Sequence, residues 1–128
     1  MAEDDHVEDG ERLWRRIHPT FVKTVVDGPP RISTAVFKSS DGELSVDRAA
    51  IVERIGRDFR FTIGVDPYKG CAVAELITSD VRALELTVEP DPVDGNPAHA
   101  EIRGRFDNPA AKRLHSIIRE VHWATSEV

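Results

Sequence analysis

Two groups of residues in this 128-residue chain have the types and spacing that could do chemistry. The first is Arg15, Arg16 and His18 near the start, joined by Arg31, Ser33, Thr34 and Lys38 about fifteen residues later. Guanidinium forks, an ammonium and hydroxyls together make a cradle for a phosphate or carboxylate. The second is His99-Ala100-Glu101. On a strand, positions 99 and 101 share a face, and a carboxylate that holds an imidazole can make an acid or base of it. The same alternation also describes an ordinary half-buried strand with Ala98, Ala100 and Ile102 turned inward, and alternation reports burial first.

Other chemistries lose their support residue by residue. His99-x-Glu101 matches the His-x-Glu of zinc nucleobase deaminases, but those enzymes need a later Cys pair, and Cys71 is the sole cysteine. His115 and His122 are seven apart and the i+4 partner of His115 is Arg119, so the two-His helical metal pair is missing. Neither a metal site nor a cofactor is expected. The chain has no Gly-rich phosphate loop and no Gly-x-Ser-x-Gly elbow. Arg54, Arg57 and Arg60 are offset by Glu53 and Asp58, which makes a nucleic-acid stripe unlikely and a solvated face the better reading.

The elements that must position these residues follow from pattern and punctuation. Leu13–Ile17 reads as a first strand, with Leu13 and Ile17 on one face and Trp14 on the other. Arg31–Lys38 reads as extended, Leu44–Val46 as a short strand, and Asp47 as the cap of a helix from Arg48 to Arg57. Phe59–Ile63 alternates strictly and predicts a strand; Cys71–Ile77, the most apolar run, predicts a central one. Thr78 or Ser79 should cap a short helix. Thr87–Pro90 and Ala98–Arg103 predict a hairpin. Asp107-Asn108-Pro109 is a strong helix start, and Leu114, Ile117, Ile118 and Val121 extend an apolar stripe along that helix. Strands and helices do not alternate regularly, so the expected fold class is α+β: a small antiparallel or mixed sheet with two or three helices packed on it.

Length and composition fit one domain. The net charge of −6 resides in residues 1–11, which hold six acids and no Lys or Arg; the remainder carries 17 acidic against 17 basic residues. We therefore expect a disordered acidic tail over residues 1–11 and a single α+β domain over 12–128. A lone cysteine, an acidic N-terminus and the lack of a long apolar run point to a cytoplasmic protein of bacterial or phage type with no membrane association.

Two resemblances add to this reading. The order of Arg16, Ser33-Thr34 and Glu101 resembles the ADP-ribosyltransferase-like folds, which place an Arg or His on an early strand, a Ser/Thr patch on a second and a catalytic Glu on a late strand. That resemblance implies that Arg16 holds a diphosphate, Ser33 positions the sugar, and Glu101 polarises a ribose hydroxyl or activates water. The segments Arg31–Lys38, Leu44–Asp47 and Gly95–Ile102 are similar to those of a set of short bacterial proteins, a likeness that spans most of residues 13–123 and implies a compact family domain without a particular activity.

The leading expectation is a non-catalytic module that binds a protein partner or an anionic small molecule, with Arg16, Arg31, Ser33, Thr34 and Lys38 as ligand-binding residues. The alternatives are an ADP-ribosyl- or phosphoester-processing enzyme using Arg16, Ser33 and Glu101, with His99 as a further catalytic candidate, or an accessory protein of a toxin or phage-defence operon. All of these require the first strand and the late hairpin to be neighbours.

Overall fold

A computed structural model describes residues 6–64 and 70–124. Among the described residues, eight strands and four short α-helices make an α+β fold, as expected from the sequence. The strands are β1 (Arg12–Ile17), β2 (Val22–Lys23), β3 (Arg31–Ile32), β4 (Glu43–Arg48), β5 (Ala72–Ile77), β6 (Thr87–Pro90), β7 (His99–Arg103) and β8 (Glu120–Trp123). The helices are α1 (Ala49–Arg54), α2 (Phe59–Ile63), α3 (Thr78–Arg82) and α4 (Asn108–Ser116). Six strands form one sheet in the order β6-β7-β4-β1-β5-β8, every pair antiparallel, while β2 and β3 make a small ribbon.

The two faces of the large sheet differ in character. Leu13 and Ile17 of β1, Leu44 and Val46 of β4, Ala72, Ala74 and Leu76 of β5, and Ala100 and Ile102 of β7 are all buried in one apolar core with Leu114 and Val81 of the helices. Trp14 and Val73 turn to the other face, where α1 and α2 bring Ala49, Ile51, Val52 and Ile63 into a smaller core. The opposition of Leu13 and Ile17 to Trp14 is the one read from the sequence. Away from those two helices this second face is polar: register sets Asp47 opposite His99, Ser45 opposite Glu101, and Glu101 opposite Glu89.

Several elements depart from expectation for local reasons. Arg31–Lys38 is extended only over β3; Ser33 then caps a 3-10 turn, Thr34–Phe37, by accepting from the Ala35 N–H at 3.1 Å. Phe59–Ile63 is a helix rather than a strand, because Asp58 accepts from the Arg60 N–H and nucleates a turn in which Ile63 is buried. Asp47 does not cap α1. Strand β4 runs on through Arg48, and the helix starts without a side-chain cap. Helix α3 begins at Thr78, likewise without a side-chain cap; the Thr78 hydroxyl instead donates to the Glu11 carbonyl.

Asp107 caps α4 as expected, accepting from the Ala110 N–H. The helix stops at Ser116, however. The apolar spacing predicts that Ile117, Ile118 and Val121 continue its stripe; Val121 instead lies in β8 opposite Ala74, and the Arg119 N–H bonds to the Glu75 carbonyl. A β-rich segment beside an open sheet edge takes ladder bonds in place of another helical turn.

Residues 6–11, the second half of the acidic stretch expected to be disordered, pack against the domain. Val7 is fully buried, and Glu11 forms a bidentate pair with Arg48 (2.9 and 2.8 Å) while Arg48 also donates to the His6 carbonyl. Residues 1–5 lie outside the described residues. No helix among the described residues is long and apolar enough to cross a membrane.

Candidate functional site

Strand β1 pairs with β5 along its whole length but with β4 only at Leu13↔Arg48 and Trp14↔Asp47. Beyond Trp14 the two strands part, and a cleft of about 440 Å³ opens between them. Its walls come from Arg15, Arg16 and His18 on one side and Ser45, Asp47 and His99 on the other, with Thr62 of α2 and Asn96 of the hairpin loop at its margin.

Arg15 belongs by alternation to the same face as Leu13 and Ile17, yet it lines this cleft because its guanidinium fills the fork. Nη1 donates to the Ser45 carbonyl at 2.8 Å, and Nε and Nη2 donate to the Val36 carbonyl at 3.1 and 3.0 Å. The Ser45 carbonyl, which strand separation would leave unpaired, is thereby satisfied, and the Val36 carbonyl of the 3-10 turn is tied to β1. Burial and the neighbouring charge of Arg16 push the Arg15 guanidinium down to about 10. Among the described residues, neither Arg15 nor Arg16 has a carboxylate within ion-pair distance. The Arg16 stem lies over Gly70, where an added Cβ would meet its Cγ at 2.7 Å and its Cδ at 2.8 Å.

The two histidines of the cleft are held in complementary tautomers. His18 Nδ1 accepts from the Thr20 N–H at 3.1 Å, so its proton resides on Nε2. His99 Nδ1 faces the Asp91 carbonyl at 2.9 Å and the Asp91 carboxylate at 3.2 Å, so Nδ1 carries a proton and Nε2 is left unengaged by Asp91. Asp91, rather than Glu101, therefore orients His99. Asp47, only 6% exposed, accepts from the Thr62 hydroxyl at 2.7 Å and from the Asn96 amide at 2.9 Å.

Of the residues singled out in the sequence, the cleft brings together Arg16 and His99, with Arg15 and His18. It does not include the others. Strand β4 lies between β1 and β7, so the first strand and the late hairpin are not neighbours. Glu101 pairs with Arg103 at 2.9 Å; the Ser33 hydroxyl is occupied as a cap; Arg31 is exposed on β3, Thr34 sits in the 3-10 turn, and Lys38 is exposed just after that turn. Arg16, Ser33 and Glu101 thus do not share a pocket. Asp47, Thr62 and Asn96 carried no functional signal in the sequence, since Asp before a helix and Asn before Pro both read as local punctuation.

A second polar cluster lies on the same face toward β8. Glu75 Oε1 accepts from Trp14 Nε1 at 2.9 Å and faces His122 Nε2 at 3.0 Å, and the His122 ring stacks on Phe59 at 5.1 Å. With Glu120, these residues are the one grouping of potential metal ligands among the described residues. Arg12 approaches Glu75 to 3.9 Å, so the carboxylate already has two N–H partners and a cation. An ion-paired, hydrogen-bonded anchor for Trp14 accounts for the whole cluster.

Fold and cleft together define a small antiparallel α+β domain with a polar cleft in a split sheet. Compared with protein families, curated proteins and solved structures, the chain finds no match.

Proposed function

We propose that this protein is a non-catalytic module that binds a small anionic ligand in the cleft between β1 and β4. One observation carries the reading: two arginines, Arg15 half-buried and Arg16 exposed, line a concave site and, among the described residues, neither has a carboxylate within ion-pair distance. A buried cation costs solvation free energy unless it is paired, and an oxyanion in the cleft would supply the missing partner. His18 adds a neutral N–H donor beside them. The size suits a small molecule, since ligand sites typically run from roughly 300 to 1,000 Å³.

The enzyme reading calls for Ser33 and Glu101 beside Arg16, and neither lines the cleft. Binding is therefore the function that the geometry supports best. Isothermal titration with inorganic phosphate at fixed ionic strength tests it. Saturable binding that weakens at least tenfold in Arg16→Ala is expected, equivalent to about 1.4 kcal/mol. No saturable binding, or equal binding by the variant, overturns the proposal.

A further inference from the structure

From the opposed walls of the cleft we infer that its ligand is a zwitterion: a small molecule bearing both an oxyanion and a primary ammonium, such as an amino acid or an amino phosphate. The inference rests on the anion-binding reading above and extends it to the other wall.

The wall formed by Arg15, Arg16 and His18 offers only donors: two guanidinium groups and the Nε2–H fixed by Thr20. The wall formed by Asp47 and His99 offers acceptors. Asp47 is as poorly compensated as the arginines are, because both of its described hydrogen bonds come from neutral groups, the Thr62 hydroxyl and the Asn96 amide. Those two bonds use one site on each carboxylate oxygen and fix its orientation, leaving further lone pairs. His99 sits directly opposite Asp47 in the β4–β7 register, but its Nδ1 is turned to Asp91, so it does not neutralise Asp47. His99 lines the same cleft as Asp47, and Nε2 is the ring nitrogen that Asp91 does not engage.

Among the described residues, the cleft has guanidinium groups without a carboxylate partner on one side and a buried carboxylate without a cationic partner on the other, which is complementary to the reverse arrangement of charge in its ligand. An ammonium has three N–H donors and a full positive charge, which match the Asp47 carboxylate together with His99 Nε2. A hydroxyl in the same place would donate one hydrogen bond and leave the Asp47 charge unpaired. A purely anionic ligand can still bind the arginines but leaves Asp47 unpaired, so it binds more weakly than one that also carries an ammonium. Selectivity for the ammonium follows, because a site built around a buried polar group rejects analogues that leave it unpaired.

The test titrates the whole protein with two matched pairs, phosphoethanolamine against ethyl phosphate and β-alanine against propionate. The amine-bearing member of at least one pair should bind tenfold or more tightly than its partner. In Asp47→Asn that preference should shrink to less than threefold. Equal affinity within both pairs on the unmutated protein overturns the zwitterion inference while leaving an anion site in place. Failure of all four compounds to bind saturably overturns the anion site as well, and the inference with it. The unmutated comparison decides the matter even where Asp47→Asn does not fold.

Discussion

Arg15 Nη1 donates to the Ser45 carbonyl at 2.8 Å across the point where β1 and β4 cease to pair. One side chain therefore does two things: it satisfies a β4 carbonyl where the sheet splits and places a half-buried cation at the cleft. The guanidinium suits both because its donors are spread over a rigid fork that reaches Val36 and Ser45 at once.

Arg15→Lys separates these contributions from simple charge. A lysine keeps the cation but lacks the fork, so at least one carbonyl loses its partner. We expect a stability loss of about 1–2 kcal/mol in urea unfolding, in line with the cost of a buried unsatisfied group. Phosphate affinity should also fall, because the ammonium is drawn to one carbonyl and away from the geometry that a planar fork holds. Wild-type stability in the lysine variant would contradict the bridging role.

Gly70→Ala tests the Arg16 wall from behind. An added methyl group would press on the Arg16 stem at distances below 3.0 Å and lie 3.3 Å from the Ile63 carbonyl. The stem is flexible and can move, so the fold should survive. The guanidinium, displaced from the cleft, should bind phosphate at least fivefold more weakly. Titration of Gly70→Ala beside Arg16→Ala checks this, and the double variant should be no worse than Arg16→Ala alone.

How much of this was legible in the sequence depends on range. Leu13, Ile17 and Trp14 declared their faces because strand periodicity is local and strict. Asp107 announced α4 because a cap followed by Pro is a local device. Phe59–Ile63 misled because five residues span less than two helical turns, too few for alternation to distinguish a strand from a turn of helix whose Thr62 and Ile63 are buried. The stripe through Val121 misled because Ala74 and Glu75, more than forty residues earlier, supply ladder partners that no window shows. The cleft itself was half legible. Arg16 and His99 were chosen for their chemistry, but insertion of β4 between β1 and β7 is a topological fact that decides against Glu101 and for Asp47.

The Glu11–Arg48 pair predicts that the start of the chain is structural. Arg48 has a side chain 4% exposed and Glu11 one 12% exposed, so the pair is nearly buried. Glu11→Gln would remove the anion of this nearly buried pair while keeping an acceptor oxygen. Breaking a buried pair in this way costs roughly 3 kcal/mol, and chemical denaturation should show a loss of that order. Loosening of the strap should also expose Val7 to solvent, which hydrogen exchange across residues 6–11 would register as lost protection.

The acid limb of the stability curve should come largely from two carboxylates. Burial on its own would raise the Glu11 carboxyl, but the Arg48 hydrogen bond, the Glu8 N–H and the charges of Arg48 and His6 hold it below its ordinary 4.5. Burial likewise opposes ionisation of Glu75, and the bonds from Trp14 and His122 with the charges of His122 and Arg12 overcome it. A carboxyl depressed in the fold binds fewer protons there than in the unfolded chain, so stability rises with pH through that window. The contribution is complete above about pH 4.5, the unfolded value, and disappears as pH falls through the lower folded values. Urea midpoints between pH 6 and pH 3 should therefore drop steeply, and Glu11→Gln and Glu75→Gln should each flatten the slope. Glu75 also has a private reporter. Its protonation weakens the bond from Trp14 Nε1, so the Trp14 indole N–H resonance, assigned with a Trp123→Phe variant, should shift at a pH below 4.5. A midpoint at or above 4.5 would show that the Trp14–His122–Arg12 environment does not stabilise the ionised form.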